Sequence, residues 1–157
     1  MKLAADNMLT KLARWIRLGG ISIEDVPYES DDEIINFVKK RKELLLTSDK
    51  QLANRSRKRK FSVLLIREQS IEKQLAYVIK ELKLKPKVPG NICTLCNGKL
   101  EKISKRDVKE IIPKAVYEKH RIFYKCSKCG KIYWRGTHLE RIKKVYKKAI
   151  ELSKEID

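Results

Sequence analysis

Four acidic residues stand where predicted strands give way to helices. Asp6 and Asp49 each follow a short apolar strand, and Asp31 and Asp32 open the helix after the second predicted strand. Because the carboxyl ends of parallel strands lie along one edge of a sheet, these carboxylates can converge there. Carboxylates held together repel one another unless a cation neutralises them, and Mg²⁺ or Mn²⁺ prefers such hard oxygen ligands. The pattern therefore predicts a divalent-metal site of the kind that hydrolyses phosphodiesters.

Each of these acids also has a purely structural explanation. Asp is a preferred helix cap, so Asp6 can cap the helix that starts near Asn7, and Asp49 can cap the helix that follows it. Asp31 and Asp32 can complement the dipole of the helix that they begin. A single acid fits either role, and only their joint occurrence at one sheet edge favours the metal site.

All four cysteines lie in the second half of the chain, as the pairs Cys93-x-x-Cys96 and Cys126-x-x-Cys129. Paired Cys-x-x-Cys turns supply the four thiolates that structural zinc prefers, and they predict a zinc ribbon. The separation between the pairs exceeds the usual fifteen to twenty or so residues, and a predicted insertion at 104–120 accounts for it. Redox or iron–sulfur chemistry is the alternative, although no catalytic thiol motif is present.

The chain carries 38 Lys and Arg against 20 Asp and Glu, a net charge of +18. Such an excess favours a polyanionic partner, first a nucleic acid and second an anionic membrane surface. A high Lys and Glu content also occurs on hyperthermophilic protein surfaces, so charge alone does not establish binding. The basic residues expected to contact the nucleic acid are Arg14, Arg17, Arg55, Arg57, Lys58, Arg59, Lys60 and Arg135.

Aromatic residues alternate with basic ones in the predicted ribbon, where Tyr124, Trp134 and Arg135 are examples. Such rings can stack on unpaired bases, but aromatics in so small a domain more often form its core, and this is the expectation for Phe123 and Tyr133. No apolar run is long enough to span a bilayer, and the first residues do not form a signal-peptide core. The expected location is therefore cytoplasmic, without a membrane partner.

Predicted strands alternate with predicted helices through the first half of the chain, with strands at 21–26, 43–47 and 61–66, and with two of the helices beginning at the caps Ser30 and Ser70. This alternation indicates an α/β fold with a mostly parallel sheet that is flanked by helices. A proline-rich break at 85–90 marks a linker, so the expected domains are 1–84 and 91–157. The second domain would comprise the ribbon and a C-terminal helix at 139–156.

Several segments together resemble the Mut-seven C-terminal RNase domain family over nearly the whole chain. They are Leu3–Leu9, Lys11–Arg17, Ser30–Ile35, Leu44–Ala53 and Ile132–His138. The resemblance implies a PIN-like nuclease domain with an appended zinc ribbon.

By position, the same resemblance implies that Asp6, Asp31 (with Asp32 beside it) and Asp49 bind the divalent ion. The fuller PIN pattern often has a fourth acid after the next strand, where this chain has Arg67 with only Glu68 near. One catalytic metal rather than two is therefore implied.

The resulting hypothesis is a ribonuclease that depends on Mg²⁺ or Mn²⁺, with zinc as the structural metal and RNA as the partner. The main alternative is an RNA-binding module without catalysis, and a third is a ribosome-associated adaptor that uses its charge to bind rRNA. A non-catalytic module needs the basic surface but not the acids, so a metal titration separates it from a nuclease.

Overall fold

The computed structural model describes residues 1–157, and its first half is built on four parallel strands. These are β1 (Leu3–Ala5), β2 (Glu24–Asp25), β3 (Leu44–Thr47) and β4 (Val63–Leu65), which lie side by side in the order β2-β1-β3-β4. Every strand pair in this sheet is parallel. The predicted α/β class with a mostly parallel sheet is confirmed.

Helices cover both faces of the sheet. They are α1 (Thr10–Leu18), α2 (Asp31–Arg41), α3 (Lys50–Lys58) and α4 (Ile71–Leu82), with a short 3-10 turn at Asn7–Leu9 before α1. Alternate strand residues point to opposite faces, so Leu3 and Leu46 pack with α1 and α4, whereas Ala4 and Leu45 pack with α2 and α3. The apolar runs of β1 and β3 are buried on both sides, as expected of a parallel sheet.

The predicted starts of α2 and α4 are confirmed by their caps. Ser30 Oγ accepts a hydrogen bond from the Glu33 amide at 3.3 Å, and its hydroxyl also contacts the Glu33 carboxylate. Ser70 Oγ accepts from the Lys73 amide at 3.3 Å. Each cap satisfies a backbone donor that the first helical turn leaves without a partner.

Strand β2 is shorter than the predicted strand at 21–26 because side chains bind the backbone of Ile23. Its carbonyl oxygen accepts from the Arg17 guanidinium, and its amide donates to Asn97 Oδ1 at 3.0 Å. These groups are therefore not available for pairing with β1, and only Glu24 and Asp25 join the sheet.

The second half of the chain contains a small antiparallel sheet. Its strands are β5 (Leu100–Ile103), β6 (Phe123–Cys126) and β7 (Ile132–Trp134), in the order β5-β6-β7. Between β5 and β6 lie a 3-10 turn at Lys105–Val108 and a short helix, α5 (Lys114–Lys119), which form the predicted insertion. Residues 91–136 are called the cysteine ribbon below.

The last helix, α6 (His138–Glu155), packs against α4 rather than on the ribbon sheet alone. Tyr146 and Ala149 are buried in the same core as α1 and α4, and the Tyr146 hydroxyl donates to the Trp15 carbonyl. The helix thus completes the layer that covers one face of the parallel sheet. None of the helices has the length and hydropathy that crossing a bilayer requires.

The segment at 85–90 is bound to the end of α1. The Lys87 amide donates to Gly19 O at 2.8 Å, and the Gly90 amide donates to Leu18 O at 3.0 Å. A side chain at Gly90 has no room, since a Cβ there would lie 2.9 Å from Arg17 O. The division of the chain at this segment remains a prediction, but the segment itself is anchored rather than free.

Candidate functional site

Asp6 and Asp49 lie at the carboxyl ends of two neighbouring strands, β1 and β3. The strand order β2-β1-β3-β4 means that the chain leaves β1 towards one side of the sheet and β3 towards the other. Such a switch point opens a crevice at the carboxyl edge, where ligands of α/β proteins bind. We call the four predicted acids, Asp6, Asp31, Asp32 and Asp49, the acidic edge, and the carboxylates of Asp49 and Asp31 are close enough to Asp6 to affect its pKa.

Asp6 is the most enclosed of these acids, with 3% of its surface exposed. Its Oδ1 accepts from the Met8 amide at 3.0 Å, and its Oδ2 accepts from the Thr47 hydroxyl. Burial raises the pKa of the Asp6 carboxyl, and although the hydrogen bonds from Thr47 and Met8 oppose this, the nearby Asp49 and Asp31 carboxylates add to it. The negative charges of Asp49 and Asp31 therefore act on the Asp6 carboxyl.

Thr47 connects Asp6 to Asp49. Its hydroxyl donates to Asp6, and the same oxygen accepts from the Asp49 amide at 3.0 Å. The residue is fully buried, so this bond is shielded from water. We did not predict a role for Thr47, and the available signal was a hydroxyl side chain at the end of an otherwise apolar strand.

Asp49 performs the structural role that its sequence position also allowed. Its Oδ1 accepts from the amides of Gln51 and Leu52 at 2.9 and 3.1 Å and so caps α3. Both hydrogen bonds use one oxygen, which fixes the carboxylate and leaves Oδ2 free to bind a ligand.

Asp31 and Asp32 are paired with arginines. Arg55 contacts Asp31 at 3.0 Å and Asp32 at 2.7 Å, and Arg59 contacts Asp32 at 3.0 Å. Arg55 and Arg59 were predicted to contact nucleic acid, and these ion pairs give them a second role. A ligand that used the Asp31 carboxylate would have to share it with Arg55.

The prediction that Arg17 contacts nucleic acid is wrong. The residue is 1% exposed, forms an ion pair with Asp25 at 3.0 Å, and donates to the carbonyl of Thr94 at 2.9 Å. It holds α1 against the cysteine ribbon. The signal was present in the sequence, since Arg17 follows Ala13 by four residues and so continues the apolar face of α1.

The other predicted basic residues are at the surface. Arg14, Arg57, Lys58, Lys60 and Arg135 are exposed and form no ion pair with a carboxylate. Beside Asp49, a groove of about 460 Å³ is lined by further polar groups, which include Ser48, Lys50, Arg67, Glu68 and Gln69. Arg67 therefore places a cation, with Glu68 beside it, where the fuller PIN pattern would have an acid.

The four cysteine sulfurs form the only group of His, Cys, Asp or Glu atoms that could hold a metal without rearrangement. They all lie within 4.8 Å of one another, with 3.7 Å between Cys93 and Cys129 and 3.3 Å between Cys96 and Cys126. A tetrahedral ion with metal–sulfur bonds of about 2.3 Å requires sulfur separations of about 3.8 Å. The predicted four-cysteine site thus has the size of a zinc site, whereas the acids of the edge are more widely spaced.

The backbone around Cys126 favours its thiolate. The amides of Lys128 and Cys129 both donate to Cys126 Sγ at 3.4 Å. Burial raises the pKa of the Cys126 thiol, but these amide bonds, together with the Cys96 and Cys129 side chains, outweigh it and bring the pKa to about 6. Burial raises the pKa of the neighbouring Cys96 thiol to about 12. Gly98 leaves room for the sulfurs, because a Cβ there would lie 2.7 Å from Cys126 Sγ. His120 and His138 do not belong to the cluster.

The chain matches a known protein family over most of its length. The family model described as the Mut7-C RNAse domain matches residues 1–146 of the 157, a span that includes the acidic edge and all four cysteines. Neither a curated protein nor a solved structure matches the chain.

Proposed function

Because the chain belongs to the Mut7-C RNase domain family, we propose that it is a ribonuclease that hydrolyses RNA at the acidic edge with Mg²⁺ or Mn²⁺. The observation that carries this proposal is the placement of Asp6 and Asp49 on adjacent strand ends, joined through Thr47. If Asp6 served only as a helix cap, it would not need to be buried beside other carboxylates. Such burial costs free energy unless a cation binds there.

The residues of the edge fit a hard divalent ion. Mg²⁺ keeps several water ligands and is usually bound through only one or two carboxylates, so the wider spacing of the acids suits it. Asp6 and Asp49 would hold the ion. Asp31 would supply a further carboxylate oxygen and would share its carboxylate with Arg55. When bound, the ion supplies Lewis-acid activation of water and stabilises charge on the phosphate.

The chain itself orients the reacting groups. The Met8 amide and the Thr47 hydroxyl fix the Asp6 carboxylate, and the first turn of α3 fixes Asp49. Lys50 and Arg67 line the groove beside Asp49, where they can bind the phosphates that flank the cut. A carboxylate held in one orientation loses little conformational entropy when it binds its ligand.

The second candidate is an RNA-binding module without catalysis, such as a ribosome-associated protein. The ion pairs of Asp31 and Asp32 with Arg55 and Arg59 favour it, because they neutralise two of the four acids without a metal. Under either proposal the cysteine ribbon holds one zinc ion and assists RNA binding.

A cleavage assay on RNA and DNA oligonucleotides, with and without added Mn²⁺ or Mg²⁺, separates the two candidates. The ribonuclease proposal predicts cleavage of RNA that requires the added ion, since the ion would supply the activation of water. Binding of RNA without cleavage at any concentration of either ion would support the non-catalytic module instead.

A salt titration tests the basic surface of α3. Replacing Arg57 and Lys58 with Gln should weaken binding of single-stranded RNA and flatten the slope of log affinity against log salt by about 1.4, since each phosphate contact contributes about 0.7. Arg59 is left in place because it pairs with Asp32. Thermal stability should hardly change, because neither replaced residue forms an ion pair.

The matched control for this titration replaces Lys147 and Lys148, which are exposed on α6. It removes the same charge at residues that do not line the groove beside Asp49. An equal loss of affinity in both double variants would show that the effect comes from net charge rather than from a contact on α3.

A further inference from the structure

A cavity of about 420 Å³ lies between the cysteine ribbon and the start of α6, and the proposed reaction does not use it. On one side it is lined by Tyr124 and Tyr133, which are cross-strand neighbours on β6 and β7. On the other side it is lined by Leu139 and Ile142 of α6, and Pro89 also contributes to its lining. We call this space the aromatic cavity. Its size is that of an ordinary small-molecule site.

All the ionisable side chains other than tyrosine that line the aromatic cavity are basic. Lys131, Arg135 and His138 line it, and no acidic residue does. Neither Lys131 nor Arg135 forms an ion pair with a carboxylate. An anion is therefore the complementary ligand.

Each of these two cations lies over an aromatic ring of the cavity. Lys131 Nζ is 5.0 Å from the centre of the Tyr133 ring, and the Arg135 guanidinium is 5.1 Å from the centre of the Tyr124 ring. The Tyr133 hydroxyl is bound to Cys93 Sγ at 3.0 Å, which fixes that ring in place. A rigid wall of rings and cations suits an anion that has an aromatic ring of its own.

We propose that the aromatic cavity binds one unpaired nucleotide of the RNA, several positions away from the phosphate that is cut, an inference that rests on the proposed ribonuclease function. The base stacks on the Arg135 guanidinium and the tyrosine rings, as bases do in single-strand-binding proteins. The phosphate lies against Lys131 and Arg135.

Helix α1 separates the aromatic cavity from the acidic edge. The helix begins four residues after Asp6 and ends at Leu18, which lines the cavity. Nine residues at 1.5 Å each span about 13 Å, and stacked nucleotides rise about 3.4 Å each. At least about four nucleotides are therefore needed to reach from one site to the other, so the cavity favours longer RNA strands over very short ones.

The test compares the binding of a long oligonucleotide, of about twelve nucleotides, with that of a dinucleotide, with no Mg²⁺ or Mn²⁺ added. For the long RNA, Tyr124→Leu should weaken binding about tenfold, the effect of losing one stacked base. Arg135→Gln should also weaken it and flatten the salt slope by about 0.7. Because the cavity binds a single nucleotide, both variants should also weaken binding of the dinucleotide, and the zinc content of both should match that of the unaltered protein.

The matched control is Tyr117→Leu. Tyr117 also has a cation over its ring, Lys105 at 4.5 Å, but it does not line the aromatic cavity. Its replacement should leave RNA binding within twofold of the unaltered protein. A photocrosslinking RNA with one 4-thiouridine should label peptides that contain Tyr124 or Trp134, and labelling confined to α3 would overturn the proposal.

The outcomes distinguish this inference from the function on which it rests. If the protein cleaves RNA but Tyr124→Leu changes neither the affinity nor its dependence on RNA length, the cavity proposal is wrong and the ribonuclease stands. If Tyr124→Leu weakens RNA binding although the unaltered protein never cleaves RNA, the ribonuclease is wrong and the cavity stands as an RNA site. Suppression of the crosslink by an oligoglutamate peptide added before irradiation, but not by a mononucleotide, would assign the cavity to an acidic protein segment and overturn the proposal.

Discussion

Purified protein should contain one zinc ion per chain, and Cys126→Ala should lose that ion and unfold the cysteine ribbon. The buried residues of the ribbon are Cys93, Val108, Phe123 and Cys126, and two of these are metal ligands. So few apolar side chains cannot offset the conformational entropy of ordering this segment. Structural zinc contributes apparent binding energies of about 10–16 kcal/mol, which makes its loss the largest effect expected here.

Trp134 offers a local measurement of this unfolding. Its ring lies 6.5 Å from that of the buried Phe123, so its fluorescence should shift to the red when the ribbon opens. The protein has two tryptophans, and a Trp15→Phe background isolates the signal of Trp134. Elemental analysis of the same sample gives the zinc content.

Ser127→Ala is the matched control for the zinc experiment, because Ser127 is exposed between two ligand cysteines and does not contribute a sulfur. It should keep both the zinc and the Trp134 signal. Helices α1 to α4 and the parallel sheet should remain folded in Cys126→Ala, since their core contains no ribbon residue. A folded ribbon in protein that contains no zinc would contradict the assignment.

The features that local sequence determines were predicted well. Continuous apolar runs, caps such as Ser30 and Ser70, and the paired Cys-x-x-Cys turns each depend on a few neighbouring residues. They led to the parallel sheet and to the four-cysteine site. The family resemblance was likewise confirmed, because its motifs are spread along the chain.

The features that depend on distant residues were missed or misread. Arg17 is basic, yet its partners are a carbonyl on the ribbon, 77 residues away, and Asp25. The pairing of Arg55 with Asp31 and Asp32 likewise joins two helices that are separated by a strand. The positions of charged residues in a sequence cannot distinguish a residue that forms an ion pair within the fold from one that binds a ligand. Both roles use the same side chain.

Asp6→Asn should reduce metal-dependent RNA cleavage by roughly a hundredfold or more, while the protein remains folded. A bound ion contributes several kcal/mol of charge stabilisation, and each 1.36 kcal/mol corresponds to a tenfold change in rate. Asn retains an oxygen that can accept from the Met8 amide, and Asn is as good a helix cap as Asp. Its Nδ2 replaces the oxygen that accepts from the Thr47 hydroxyl, so this hydroxyl must accept from Asn instead of donating to it. Its weaker affinity for divalent ions should therefore be the main change.

The stability of the metal-free variant should equal or exceed that of the unaltered protein. Burial raises the pKa of Asp6 in the folded state, so the folded state binds more protons than the unfolded state between the ordinary Asp pKa and this raised value. The free energy of unfolding therefore falls as the pH rises through that window. At neutral pH the charged Asp6 carboxylate destabilises the folded state. Asn removes the cost, so thermal unfolding at neutral pH should occur at an equal or higher temperature.

Asp107→Asn provides the control, because Asp107 is an exposed acid of the ribbon insertion that lies outside the acidic edge. It makes the same chemical change and should leave both cleavage and its Mn²⁺ dependence unaltered. Asp49→Asn should resemble Asp6→Asn in activity, since the two carboxylates act on one ion and removal of either disables the pair. Cleavage by Asp6→Asn at the rate of the unaltered protein would show that the reaction occurs elsewhere, and the groove lined by Lys50 and Arg67 would then have to be explained by binding alone.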